Sequence, residues 1–229
     1  MLIKRLIRRL IGRLGVLMYE AGSDIASATL PKFGNNPKNL KIDLPRVICH
    51  PELIFLGDDV SLGHGTFLVA QTAYPAFASG AAQIQQFPPT SKSRITIGNR
   101  VTATANLQIA AMSEIVIEDD VLLASNINIT DGLHGYKNAY EPYVTQAMCR
   151  IAPIRIKRGC WIGQNVVILP GVTIGEMSIV GANSVVTKSL PDRCIALGSP
   201  ARVIKNWDDN AGKWVCTSDD AAEKTGMQK

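Results

Sequence analysis

Histidine is the side chain that gains and loses a proton near neutral pH, and this chain has three, His50, His64 and His134. His134 is the candidate general base. It stands in a polar and aromatic stretch, DGLHGYKNAYEPYVTQAMCRIAP from Asp131 to Pro153, directly after Asp131-Gly132-Leu133. A histidine base is usually oriented by a third group, and Asp131 and Glu141 are the nearby carboxylates able to hold its tautomer. Each also has a plainer reading: His134 as a surface or structural histidine, Asp131 as a turn cap, Glu141 as a solvated side chain. A zinc site of the carbonic-anhydrase kind would need three histidine ligands, and none of the three has a close histidine partner, so no metal is expected. The five cysteines are odd in number and form no CxxC pair, which reads as reduced thiols in a cytoplasmic protein. None has the context of a nucleophile, and Cys160 and Cys194 read as buried structural thiols.

The elements that would position these groups follow from charge and periodicity. Lys and Arg number 24 against 19 Asp and Glu, for a net charge of +5. Five of the cations, Lys4, Arg5, Arg8, Arg9 and Arg13, fall within the first thirteen residues, so the body of the chain is near neutral. A diffuse nucleic-acid surface is not implied, and no nucleic-acid partner is expected. With 46% hydrophobic and 19% charged residues the chain is no charged disordered polymer, and it has no uncharged apolar run long enough to span a bilayer, so it reads as soluble or at most peripheral.

From Ile156 an aliphatic residue returns at every sixth position, as Ile156, Ile162, Ile168, Ile174, Val180 and Val186. The same register appears upstream at Leu56, Leu62 and Leu68, at Ile97, Ala103 and Ile109, and at Ile117, Leu123 and Ile129. A six-residue unit is too short for a strand plus crossover helix and has the wrong period for a helix, so each unit is a strand and a corner. Three units make one coil of about 18 residues in a parallel β-helix, with aliphatic columns inside and Gly or Asn at corners that tolerate positive φ. Gly57-Asp58-Asp59, Gly98-Asn99-Arg100 and Gly163-Gln164-Asn165 fit such corners. Ile117 to about Gly135 reads as a coil that begins but does not close cleanly, broken by the stretch that carries His134.

The expected organisation is three-part: residues 1–30 a basic amphipathic helical segment, 31–205 the β-helix with excursion loops at about 70–93 and 131–153, and 206–229 a C-terminal cap. Excursions from a rigid scaffold are where functional residues gather. The 70–93 loop, with Tyr74, Phe77, Phe87 and Pro88-Pro89, reads as a contact or lid loop. In the first segment Leu2, Ile3, Leu6, Ile7, Leu10, Ile11 and Leu14 share one side of a helix with the cations interleaved, a pattern that suits an anionic membrane surface or packing on the chain's own coils. Trp207 and Trp214 suggest a terminal segment folded back over the last coils.

The run WIGQNVVILPGVTIGEMSIVGANSVVTKSLPDRCIALGSPARVIK, Trp161 to Lys205, resembles the C-terminal signature of hexapeptide-repeat acyltransferases. The nearest pattern is that of the maltose and galactoside O-acetyltransferases and the related polysaccharide O-acetyltransferases. The resemblance implies an all-β solenoid wound as a left-handed parallel β-helix, a homotrimer with sites between neighbouring helices, and acetyl-CoA as donor. It assigns His134 as the base that deprotonates the acceptor, with direct transfer and backbone N–H groups near Gly163-Gln164 holding the oxyanion. For the donor it implies Trp161 along the pantetheine arm, Gln164 by its backbone, Ala182 as the small residue meeting that arm, Thr187 and Lys188 in the VTK corner, and Arg202 and Lys205 toward the phosphates.

The sequence also departs from that pattern. Gln164 replaces a small residue, and Thr104 stands where the galactoside and maltose enzymes carry an acceptor-binding asparagine, although Asn106 matches a second one nearby. His134-Gly135-Tyr136 is similar to the HGY of polysaccharide-cluster acetyltransferases, which makes Asn106 and Tyr136 the acceptor candidates and a sugar or glycan the acceptor. The expected activity is O-acetylation in polysaccharide or lipopolysaccharide biosynthesis, in the cytoplasm or at the inner membrane face. The alternatives are N-acetylation of a nucleotide-linked amino sugar and acetylation of a xenobiotic.

Overall fold

The computed structural model describes residues 2–71, 73–76, 83–86 and 93–217. Every sixth aliphatic residue turns the chain onto a new face of a three-sided solenoid. Ile156 ends strand Ile154–Ile156 on the third face, Ile162 lies in Trp161–Ile162 on the first, and Ile168 lies in Val167–Ile168 on the second. Ile174, Val180 and Val186 repeat the circuit. The pairing is parallel and in register, Ile156 with Ile174, Ile162 with Val180, and Ile168 with Val186. The three faces are separate, mostly parallel sheets of nine, six and five strands. Ile42, Leu62, Leu123, Ile162 and Val180 on the first face, and Leu68, Ile109, Ile129 and Ile168 on the second, are buried in one continuous core. Columns of this kind keep the period of six legible, because a one-residue slip would turn each aliphatic side chain outward.

Upstream the coil is longer than the hexad arithmetic implies. Ile97 pairs with Ile117, Ala103 with Leu123 and Ile109 with Ile129, each 20 residues apart, the surplus lying at the corner around Met112-Ser113. The coil from Ile117 is interrupted by an insertion, as the sequence implies, yet keeps its register: Glu114–Ile117, Leu122–Leu123 and Asn128–Thr130 all pair with strands of the next coil. The excursion 131–153 is inserted at the corner after it, so the scaffold register survives the insertion. The 70–93 excursion contains an antiparallel ribbon, Ala73–Ala76 with Gln83–Gln86. Phe77, Phe87 and Pro88-Pro89, on which the lid reading rested, lie outside the described residues.

Of the two residue types expected at the corners, asparagine takes the positive φ at several, whereas the glycines of the three quoted corners do not. In the three quoted corners the positive φ falls two residues later, at Asp59, Arg100 and Asn165, with φ of 59°, 56° and 59°. The glycines are needed for close approach instead. A Cβ on Gly57 would sit 2.4 Å from the Gly98 carbonyl carbon, one on Gly98 would sit 2.3 Å from Asp119 Oδ1, and one on Gly163 would sit 2.6 Å from the Ala182 nitrogen. At the corner between the first and second faces, Asn106, Asn126, Asn165 and Asn183 all take positive φ. Their amides form a ladder in which each Nδ2 donates to the next Oδ1, at 2.8, 2.9 and 2.9 Å. Asparagine tolerates the left-handed conformation and its side chain caps the exposed corner of the coil beside it.

Both ends of the solenoid are closed by chain rather than left open. Leu30, Phe33 and Leu40, in the linker after helix α1 (Leu2–Ala28), pack against the first coil, and the Asn35 side chain donates to Leu56 O and accepts from Leu56 N. At the other end Cys194–Gly198 continues the first face in parallel. The chain then reverses into Ala201–Asp208 and Lys213–Cys216, an antiparallel ribbon added edge-on to that face rather than folded over the coils. Trp207 and Trp214 meet edge to face across it, ring centroids 5.4 Å apart.

Gly57→Ala places a methyl against backbone with no flexible neighbour to yield, so the variant is expected to lose about 1–3 kcal/mol of stability in denaturant unfolding. An unchanged transition would show that the coils are not held at this spacing.

Candidate active site

The loop carrying His134 is fastened at its root by a buried carboxylate. Asp131 follows strand Asn128–Thr130 and is fully buried, its Oδ1 accepting from the Met112 N–H at 2.6 Å and its Oδ2 from the Ser113 N–H at 2.8 Å. Burial is the largest influence on this carboxyl and raises its pKa above the usual range, against the pull of those backbone N–H groups. Leu133 and Cys149 then exchange backbone hydrogen bonds at 2.9 and 2.7 Å, which closes the neck of the loop. Gly135 has no room for a side chain, since a Cβ there would lie 2.2 Å from Ala147 O. Beyond the neck the buried Gln146 side chain accepts from the Asn138 N–H at 3.1 Å and donates to Asn138 O at 2.7 Å and Glu141 O at 3.1 Å. Met112, Met148 and Ile151 form a small apolar cluster beneath. His134 is exposed on this braced neck, with the Cys149 thiol directed at its carbonyl oxygen, 3.3 Å away. Tyr136 and Glu141 are also exposed, Glu141 contributing its backbone carbonyl to the Gln146 network.

The donor candidates gather mainly at another corner. Trp161 stands on the outer side of the first face, 49% exposed, in register between Leu122 and Ile179. Gln164 and Ala182 follow at the corner toward the second face, both exposed and one coil apart, with the Asn183 N–H bonded to Gln164 O at 2.8 Å. Leu197 lies over Gly181, 2.0 Å from where a Cβ would be, and pairs across the antiparallel ribbon with Arg202, while Ile195 pairs with Lys205. Arg202 is exposed and Lys205 half-buried. Trp161, Gln164, Ala182, Arg202 and Lys205 therefore border one corner and the strands that run into it.

Thr187 and Lys188 do not join them. They follow strand Val185–Val186 at the corner between the second and third faces, the corner from which the His134 loop departs two coils earlier. The root of the His134 loop and the Trp161 corner thus sit at opposite ends of the second face of one chain. One other expectation is corrected: the Gly163 N–H, read as part of an oxyanion site, donates to Val180 O at 2.8 Å within the coil. Asn106, the acceptor candidate, stands at the first rung of the asparagine ladder, its Nδ2 donating to Asn126 Oδ1.

Burial pushes the Cys160 thiol up to about 11 and raises that of Cys194, which keeps both protonated and unreactive. His50 Nδ1 lies 3.2 Å from Glu52 Oε1, and His64 borders α1 at the far end of the solenoid. Among the described residues no three His, Cys, Asp or Glu side chains are grouped as metal ligands. Sequence reasoning missed Gln146, Cys149 and Met148, all inside the quoted loop; the signal was an amide, a thiol and a long apolar side chain close together in a mostly exposed stretch.

Residues 153–188 match the family model described as bacterial transferase hexapeptide (six repeats). Galactoside O-acetyltransferase of Escherichia coli (strain K12) is 40% identical over 117 residues, covering 51% of this chain and 56% of that protein. "Putative lipopolysaccharide biosynthesis O-acetyl transferase WbbJ" of the same organism is 33% identical over 126 residues, covering 52% of this chain and 64% of that one. The chain thus spans between half and two thirds of the length of these curated relatives. Among solved structures, a mutant of AntD, an N-acyltransferase from Bacillus cereus, in complex with dTDP and coenzyme A, superposes with a TM-score of 0.60 at 20% identity, covering 86% of this chain and 91% of that chain. That likeness establishes a shared fold over most of the chain.

Asp131→Asn leaves one of two buried backbone donors facing an N–H, an expected cost of about 1–3 kcal/mol. Because the folded carboxyl has the raised pKa, its contribution is present at acidic pH and is lost as pH rises through the folded value. The stability margin of wild type over Asp131→Asn should therefore narrow from acidic to neutral pH in denaturant melts; a widening margin would refute the assignment.

Proposed function

We propose that this chain, a hexapeptide-repeat protein resembling the O-acetyltransferases of that family, transfers acetyl from acetyl-CoA to a sugar hydroxyl in polysaccharide or lipopolysaccharide biosynthesis. The observation that carries the reading is the exposed His134 on a loop whose root is buried and fully hydrogen-bonded, on a scaffold whose other corner exposes Trp161, Ala182 and a basic pair. The identities shared with the two Escherichia coli O-acetyltransferases support a hydroxyl acceptor.

The chain's residues fit such a donor. An exposed indole and a small residue at an open corner suit an extended, amide-rich arm, and Arg202 and Lys205 on the adjoining strand suit phosphates. The donor supplies an acetyl group activated as a thioester. His134 takes the proton of the acceptor hydroxyl as its oxygen forms the ester bond; the departing thiolate is protonated by solvent, and no residue becomes acylated. With the Gly163 N–H committed to the coil, the Gln164 N–H is the donor left to the developing oxyanion in this reading. Asp131 holds the loop root, Glu141 and Tyr136 border the acceptor side, and Thr187-Lys188 belong to the corner below His134.

The opposite placement of base and donor corner favours a site shared between copies, His134 of one protomer facing the Trp161 corner of its neighbour, in the left-handed trimer that the resemblance implies. The helical segment 1–30, the coils 31–205 and the tail 206–229 then divide the labour into anchoring, catalysis and closure, in a cytoplasmic enzyme.

His134→Gln, which keeps the shape and removes the base, should lower acceptor-dependent release of free coenzyme A by about 10²–10⁴-fold while leaving coenzyme A binding intact. Retained turnover would remove His134 from the mechanism. Arg202→Ala with Lys205→Ala should weaken coenzyme A binding by about tenfold or more in calorimetry, since charge-assisted phosphate contacts are lost; unchanged affinity would place the donor elsewhere.

A further inference from the structure

The N-terminal helix makes almost no use of its own solenoid. Helix α1 runs 27 residues, roughly 40 Å, and Ala26 is its one buried residue among those whose exposure is described. The helix is tied at that end through Ala26 O and Thr29 Oγ1, which accept from Arg46 Nη2 at 2.8 and 3.0 Å. Ile11, Leu14, Met18 and Ile25, spaced to share one stripe, are 64%, 58%, 69% and 57% exposed, and Leu17 beside them is 60% exposed. Near the base Met18, Gly22 and Ile25 stand off from Leu44 and His64 across an open pocket of about 470 Å³, so even there the coils leave the stripe uncovered. The linker 30–40, not the helix, closes the first coil.

We infer that α1 is a surface anchor that lies in the headgroup region of a bilayer rich in anionic phospholipid. The occupant follows from charge. Lys4, Arg5, Arg8, Arg9 and Arg13 precede the first acidic residue, Glu20, so the outer half of the helix is purely cationic beside its apolar residues. Packing against the same helix of a second copy would set these cations side by side with no acidic partners, whereas helix seams between copies are flanked by opposite charges. Anionic headgroups supply the missing charge while the stripe enters the acyl boundary. No helix among the described residues is long and apolar enough to cross, which leaves the in-plane mode.

The test uses the full chain in flotation with phosphatidylcholine vesicles with and without phosphatidylglycerol. Wild type is expected to float with the anionic vesicles only, and less so at high salt. Ile11→Asp with Leu14→Asp should reduce that binding about tenfold or more while the oligomeric state by light scattering stays unchanged. Equal binding to both vesicle types, or a double variant that still floats, would overturn the inference. So would absence of vesicle binding together with a changed oligomeric state in the variant, which would assign the stripe to a second copy of the chain. None of these readouts depends on acetyl transfer.

Discussion

Everything in this molecule depends on the distance between one coil and the next. Parallel strands hydrogen-bond at a spacing of about 4.8 Å, and because each coil lies on its neighbour throughout its circuit, corners must approach as closely as strands do. Gly57, Gly98 and Gly163 are small for that reason, each facing backbone or a fixed side chain of the next coil. The residue two positions later takes the strained turn, and at one corner successive asparagines convert the turn into a hydrogen-bonded column. Around the corner between the third and first faces the exposed side chains form ion pairs instead, Arg100 with Asp120 and Arg158 with Glu176, and Arg193 pairs with Asp209 of the C-terminal ribbon. These pairs are exposed and individually worth little, whereas the buried columns carry the stability.

The same constraint explains how the His134 loop can be attached. A coil held on all sides cannot absorb an insertion within a strand, but it can release one at a corner and take the chain back in register. The stretch from Asp131 to Pro153 leaves and returns in this way, with Ala152 N–H bonded to Asp131 O and Gly171 N–H bonded to Ala152 O. The anchoring carboxylate reaches backward to Met112 and Ser113, the two residues by which the preceding coil exceeds the hexad count. The longer corner and the buried aspartate are thus one device: surplus backbone that exposes two N–H groups, and a carboxylate that satisfies them.

The solenoid was readable because its signal is one-dimensional. Period six in Ile156 to Val186 states both the strand and the face, and the parallel register follows without further information. The local reading stops where two features share one residue type. Glycine serves both positive φ and close approach, and the sequence alone located the corners at Gly57, Gly98 and Gly163 without saying which of the two each glycine supplies. Asn106 carries a similar ambiguity, since an asparagine that completes a ladder and one that contacts a ligand look alike without its neighbours in space. His134 was singled out by its rarity and its loop, but the bracing of that loop was not legible: Gln146 acts through backbone groups five and eight residues away, a pattern with no period.

A stack of parallel strands is open at both ends, and an open end is a template for the next molecule. The last full coil of this chain would offer Ile179–Val180 and Val185–Val186 to any segment that could extend them. The chain uses that edge itself on the first face, laying down Cys194–Gly198 in parallel and then reversing direction through Ala201–Asp208 to Lys213–Cys216. A newcomer would meet a strand of opposite polarity, twisted by a ribbon and faced by Lys213, instead of a coil with matching columns. The change of strand direction at residue 198 therefore limits the length of the assembly as well as the length of the domain, and keeps a repeat suited to endless fibres in a discrete particle.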